Sequence, residues 1–305
     1  AALPPRPERH KMEDLLFQLE MGLPQIVLGL VNGAFYALLS LGLAVIFGML
    51  HVINFAHGAQ FMMGAFVAWM LLNWLGIGYW PALILSPLIM GVLGVVIERL
   101  LIRRVQGADP LYGLLLTFGL ALMIEGVFRQ YFGSSGMPYA PPASLTGMPL
   151  DLGFMILPVY RAWVVVAALI LSLGTWLVIE KSRLGAYLRA ATENAALVPA
   201  FGVNVPRLVT LTYAGGVALA ALAGVLAAPI YSVNPQMGSS LIITVFAVVV
   251  IGGMGSILGS VVTGFGLGLV EGMTKVFYPE AASTVIFVVM AIVLLVRPAG
   301  LFGRA

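Results

Sequence analysis

Polar residues along this chain are confined to short intervals between long apolar runs. The runs fall at roughly 23–50, 56–73, 80–102, 111–132, 161–180, 207–228, 240–254, 255–274 and 282–297. Most are about 20 residues long, enough for an α-helix to cross a hydrocarbon core about 30 Å thick. The pattern predicts an all-α fold, a polytopic transmembrane helical bundle with about 8–9 membrane segments. The run at 240–254 is short and the next follows almost without a gap. One segment of that pair is therefore expected to be broken or re-entrant.

Composition sharpens this picture. The chain is 61% hydrophobic and 9% charged, with a mean hydropathy of +1.06. A soluble domain carries about 25% charged residues, so there is too little charge here to cover a water-facing surface. Residues 12–305 are expected to form a single transmembrane domain. Residues 1–11 are polar and proline-rich, and read as a disordered tail or cloning remnant with Met12 as a native start. The apolar run after Leu23 is too long for a signal-peptide core. The absence of cysteine excludes disulfides, thiolate metal sites and cysteine nucleophiles. His10, His51 and His57 are too scattered to suggest a metal cluster. The formal charge of +3 does not indicate nucleic-acid binding, because the basic residues are few and sit in loops.

Those loop residues predict orientation. Arg103 and Arg104, then Lys181, Arg183, Arg189 and Arg207, then Arg297 and Arg304 mark three regions expected in the cytoplasm. The segment Gly133–Tyr160 is rich in Pro, Gly and Ser, and Asp151 is its only acidic residue before Tyr160. It is expected outside, with the turns near 74–80 and 229–239. Charge does not decide the side of the N-terminus. Trp74, Tyr79, Trp80, Tyr131, Tyr160, Trp163 and Tyr278 lie near span ends, as in an interfacial aromatic belt.

Three segments carry more specific information. In Gly29–Gly64 the apolar run is interrupted by Asn32, Ser40, His51, Asn54 and His57. A polar side chain at membrane depth needs a partner or a water-filled cavity. The NFAHG stretch, Asn54–Gly58, is either a helix break that offers backbone groups to a solute or a loop at the membrane surface. In Val250–Gly268, glycine is dense. Gly255 with Gly259 and Gly264 with Gly268 fit the small-xxx-small packing pattern, and Gly252, Gly253 and Gly255 mark a break. No strand or βαβ unit accompanies these glycines, which excludes a dinucleotide turn. A translocation path is expected beside Asn32, Asn54 and His57, against Gly252, Gly253 and Gly255. Third, within Lys181–Arg207, Leu184, Tyr187, Leu188 and Ala191 are spaced as one apolar helical face. Thr192 is placed to cap a second short helix near Glu193, which Gly202 and Pro206 would stop. Such a segment either lies on lipid or docks a soluble partner.

Charged residues inside the spans fall in pairs. Glu125 with Arg129 and Glu271 with Lys275 are spaced i, i+4, a spacing at which the two neutralise one another. A zwitterionic solute would also need both signs. Glu98, Arg99, Arg103 and Arg104 read as an interfacial cluster. No Ser/His/Asp set, metal-backed carboxylate pair or P-loop is present in the pattern, so no catalytic residues and no metal ligands are assigned.

These segments resemble the LivH-type permeases of branched-chain amino acid ABC transporters. The resemblance is carried by GLVNGAFYALLSLGLAVIFGMLHVINFAHG, LGAYLRAATENAALVPAFGVNVPRLVTLTYAGGVALAALAGVLAAP, FAVVVIGGMGSILGSVVTG and LLVRPAGLFG. It implies a non-catalytic permease subunit in a bacterial inner membrane that translocates branched-chain or related small amino acids. It further implies four partners: a second, LivM-type permease, two cytoplasmic ATPase subunits that hold the ATP and Mg, and a periplasmic substrate-binding protein. This chain itself would bind no cofactor. By the same resemblance the cytoplasmic segment is an ATPase-coupling element formed by Leu184, Tyr187, Leu188, Arg189, Glu193, Asn194 and Gly202. The competing class is a stand-alone secondary transporter or channel for a small polar solute such as an amide or urea.

Overall fold

A computed structural model describes the backbone of residues 6–50, 53–194 and 197–303, with side chains from residue 22 onward in those ranges. Of the leading segment 1–11, residues 1–5 lie outside the described residues and 6–11 are drawn as helix. His51 and Arg304 also lie outside them. The described residues form eleven α-helices: α1 (Arg6–Leu50), α2 (Ala56–Leu75), α3 (Tyr79–Ile97), α4 (Arg103–Val105), α5 (Pro110–Phe132), α6 (Val159–Lys181), α7 (Arg183–Asn194), α8 (Val205–Tyr231), α9 (Met237–Gly252), α10 (Ile257–Phe277) and α11 (Val285–Val296). A π-helical turn, Glu98–Ile102, joins α3 to α4. Among the described residues, seven helical spans are long and apolar enough to cross a membrane, and α9 and α11 are shorter apolar helices. Together they account for the nine apolar runs of the sequence.

Helix ends follow local chemistry. Asp109, Asn204 and Ser256 each accept a backbone N–H at the start of α5, α8 and α10, which satisfies donors that the first helical turn leaves free. Gly76 closes α2 in the left-handed conformation, with φ 67°. Between α9 and α10 the chain turns through Gly253 (φ 99°) and Gly255 (φ 83°). A side chain is strained at those angles, so the glycines set the break foreseen there.

The bundle has two distinguishable ends. At one, Met49, Leu188, Ala191, Val198 and Leu208 form a small cluster, beside Arg103, Pro206 and Thr210. This is the basic end. At the other, the Tyr160 hydroxyl lies 3.2 Å from that of Tyr79 and donates to the Leu226 carbonyl. There Met137 pairs in antiparallel fashion with Val233, and β1 (Leu150–Asp151) and β2 (Ile156–Leu157) form a small hairpin. This is the loop-bearing end.

Helices α1 and α8 are mostly buried and form the centre, while α5 and α6 are mostly exposed. The seam between α1 and α10 is made by facing glycines. A Cβ on Gly268 would lie 2.4 Å from the Gly29 carbonyl oxygen, and one on Gly264 would lie 2.6 Å from the Ala37 Cα. Backbone therefore packs directly on backbone, as small residues permit in a lipid-solvated bundle.

Candidate functional site

Helix α2 does not start at the basic end, where α1 finishes. Its first turn sits inside the bundle. His57 is fully buried and its Nε2 meets the Leu39 carbonyl at 3.0 Å. A carbonyl can only accept, so Nε2 carries the proton and Nδ1 is left as an acceptor. Asn54, also buried, donates to the Tyr213 hydroxyl at 3.4 Å, and Gln60 donates to the same oxygen at 2.8 Å. Asn54 Oδ1 and His57 Nδ1 have no hydrogen-bond partner among the described residues. The backbone N–H of Phe55 donates to Thr117 Oγ1 on α5 at 3.2 Å, so a side chain from another helix satisfies the broken end. Gln60, Tyr213 and Thr117 belong to this polar knot although the sequence reading did not select them. Gln60 carried a visible signal, a polar residue inside an apolar run. Thr117 carried the same signal within the run 111–132, and Tyr213 carried none.

A second chain break comes alongside. Helix α8 ends at Tyr231, and Ser232 takes a left-handed φ of 58°. Five residues beyond Val233, at the start of α9, Gly238 meets α2: a Cβ on it would lie 2.1 Å from the Gly58 carbonyl oxygen. From there α9 runs down beside the start of α2, bringing the ring of Phe246 to 4.6 Å from that of Phe55. Phe118 of α5 meets Phe55 edge-on at 5.9 Å. Above these rings is a cavity of about 60 Å³ whose walls come from α2, α5 and α9, including Gly58, Met62, Ala121, Glu125, Ser239 and Ile242. Glu125 is its one charged lining residue, and Arg129, half exposed, pairs with Glu125.

The expected path residues separate in space. Asn54 and His57 belong to the turn that supplies this cavity's floor and wall. Asn32 instead accepts from the Tyr231 hydroxyl at 2.8 Å, where α1 meets α8. Gly252 packs on Gly259, Gly253 on Gly303 and Gly255 on Gly48, so these three make backbone contacts at the basic end. None of Asn32, Gly252, Gly253 and Gly255 lines the cavity.

The coupling candidates form α7 and the turn after it. Leu188 and Ala191 bury against the ends of α1 and α8, while Leu184 and Tyr187 of the same stripe are exposed. The helix docks by Arg189, which donates to the Ile179 carbonyl at 2.9 Å. It does not restart at Glu193. It continues to Asn194, and Thr192 bonds back to the Arg189 carbonyl instead of capping. Asn194 accepts from Leu197 N–H at 3.1 Å, a 3-10 turn follows at Val198–Phe201, and Gly202 ends it at φ 78°. Glu193 is exposed.

The paired charges are all made. Lys275 and the Tyr36 hydroxyl both donate to Glu271, each at 2.6 Å. Glu98 is fully buried at the basic end, where it accepts from Arg103 at 3.0 Å and from Thr210 at 2.8 Å. The π turn rotates it inward, onto α8.

Comparison with known proteins agrees with this architecture. The family model described as branched-chain amino acid transport system / permease component matches residues 25–294. The permease protein BraD of a high-affinity branched-chain amino acid transport system of Pseudomonas aeruginosa is 31% identical, covering 92% of this chain and 96% of that protein. Escherichia coli LivH, a permease protein of the same kind of system, is 29% identical over the same shares. A probable LivH of Methanocaldococcus jannaschii is 28% identical over 87% of this chain and 88% of its own length. No solved structure is a significant match. The chain is thus a multi-pass membrane protein, and it belongs to the family of permease components of branched-chain amino acid transport systems.

Proposed function

We propose that the chain is the permease subunit of an ATP-driven importer that carries branched-chain or related small amino acids across a bacterial inner membrane. The observation that carries this is α7. It is a short helix anchored to the bundle through Leu188, Ala191 and Arg189. It also turns Leu184, Tyr187 and Glu193 outward at the basic end. A rigidly seated helix with an unpaired mixed face suits transmission of motion from a soluble subunit. On this proposal the basic end faces the cytoplasm, in keeping with the positive-inside rule. Two ATPase subunits, with ATP and Mg, dock there. A second permease completes the pathway, and a periplasmic binding protein meets the segment 133–160.

The chain contributes no catalytic group to ATP hydrolysis. Its role is to offer a passage that opens and closes. The passage is placed beside Asn54 and His57, where a helix start inside the bundle brings polar groups to membrane depth.

The test is co-expression of the chain with its candidate partners, followed by reconstitution with the binding protein. ATP-driven uptake of leucine, isoleucine or valine is expected. Glu193→Arg is expected to reduce uptake and substrate-stimulated ATP hydrolysis about tenfold or more while the permease remains folded. Purification of a functional transporter without ATPase subunits would sink the proposal, and so would normal coupling in Glu193→Arg.

A further inference from the structure

Resting on that transport reading, we propose that the cavity between α2, α5 and α9 is this chain's share of a binding subsite for a zwitterionic aliphatic amino acid. Glu125 receives the α-ammonium, and the apolar wall around Phe55, Phe118 and Ile242 takes the side chain.

Three independent features meet there. The first is size and lining. A water needs roughly 10–15 Å³ of such space, so a cavity of about 60 Å³ holds about four to six groups of that size. That accommodates the three or four carbons of a branched aliphatic side chain. Apart from Glu125 and Ser239, the side chains and glycines that line it are apolar.

The second is architecture. Both chain breaks contribute to the walls: Phe55 and Gly58 from the start of α2, Pro235 and Gly238 from the start of α9. Broken helices that meet in this way are where backbone can approach a solute at membrane depth. Phe55 lies against Phe118 and Phe246 and is held in place by the bond from its N–H to Thr117.

The third is charge. Glu125 lines the cavity and its partner Arg129, one turn nearer the loop-bearing end, does not. The Glu125 side chain is 16% exposed and that of Arg129 is 49% exposed. Counting back from Phe132 at 1.5 Å per residue, Glu125 sits about 10 Å inside the end of α5. A pair that only neutralised itself would not need its acid turned into a cavity. An amino acid can insert its ammonium against Glu125 and its carboxylate against Arg129. One ion pair then becomes two, and no charge is left bare at membrane depth.

The experiment uses the whole reconstituted transporter with saturating, leucine-loaded binding protein, so that delivery is constant, and reads the maximal uptake of radiolabelled leucine. The wild type comes first: if it imports no branched-chain amino acid, the transport reading has failed and the subsite falls with it. If it imports leucine, Glu125→Gln is expected to lower maximal uptake about tenfold, the loss of one charge-assisted contact, with an unchanged yield of assembled transporter. The exchange variant Glu125→Arg with Arg129→Glu preserves the ion pair but moves the carboxylate away from the cavity, and is expected to stay equally slow. Ala121→Phe fills the cavity with the pair intact and is expected to slow leucine uptake by a similar factor. This last variant decides the matter if Glu125→Gln fails to assemble. Wild-type uptake by Glu125→Gln, recovery in the exchange variant, or wild-type uptake by Ala121→Phe would each overturn the subsite while leaving the transport reading intact.

Discussion

Replacing Gly268 by alanine adds a single methyl group, and the structure sets the sign of its effect. The new Cβ would lie 2.4 Å from both the Gly29 carbonyl oxygen and the Gly33 Cα. Ordinary contact begins near 3.4 Å, so α1 and α10 must separate by about 1 Å along their seam. A gap of that size forfeits a quarter to a half of the dispersion energy of each facing atom pair. Overpacking of this kind costs about 1–3 kcal/mol. At roughly 2–4 °C per kcal/mol for a chain of this order of size, the thermal midpoint should fall by about 2–12 °C. Gly266, two residues earlier on the same helix, has nothing within 4 Å of its would-be Cβ. There alanine only improves helix propensity, by up to about 1 kcal/mol. The assay is thermal aggregation of the detergent-purified permease, read by size-exclusion chromatography. Gly268→Ala should lower the midpoint and Gly266→Ala should leave it level or raise it. If the two variants shift in the same direction by similar amounts, the backbone-on-backbone seam is not what holds α10 to α1.

Two further outcomes are expected. Thr117→Val removes the acceptor of the Phe55 N–H and should destabilise the permease by about 1–3 kcal/mol, the cost of an unsatisfied buried donor. Thr117→Ser keeps the hydroxyl and should stay near wild type in the same thermal assay, and equal losses in the two would contradict this account. The loop segment 147–155 is exposed, Met148 just before the hairpin being 92% exposed, while the buried Leu157 of β2 lies outside that segment. Replacing 147–155 with a short Gly-Ser linker should leave the thermal midpoint within about 1–2 °C but reduce uptake from the loaded binding protein. Unimpaired uptake would remove this hairpin from the docking surface.

Much of the helical framework was legible because a membrane-spanning helix needs an uninterrupted apolar run, and such runs are visible without any partner. The glycine break before α10 was legible for a similar local reason, since only glycine takes the left-handed angles of residues 253 and 255 without strain. What escaped was depth. Asn54, His57 and Gln60 announce an interruption, but their distance from the surface is set by Leu39, Thr117 and Tyr213, which come from three other helices. Glu98 shows the same limit: its neighbours Arg99, Arg103 and Arg104 mark the basic end, but its burial there depends on Thr210, far away in sequence, which donates to it. On α7 only Leu188 and Ala191 of the apolar stripe are buried, while Leu184 and Tyr187 are exposed, because periodicity alone does not say which half of a stripe meets the bundle.

The energetics of the two breaks explain why they belong together. A helix that begins inside an apolar bundle leaves its first N–H groups without water to bond to, and each one unsatisfied is costly. At α2 the cost is met from α5, by Thr117, whose hydroxyl also lies 3.0 Å from the Ile53 carbonyl. Helix α5 is the least buried of the long spans; Phe128 and Phe132 pack its outer half on Phe66, Trp69 and Trp74, and the Thr117 bond ties its inner half to the break. The same helix carries Phe118 on the cavity floor and Glu125 on its wall. A displacement of α5 would therefore move Phe118, Glu125 and Thr117 together. On the proposed subsite, the groups that would hold a solute therefore ride on one helix, and the bond at Thr117 is what fixes that helix to the start of α2.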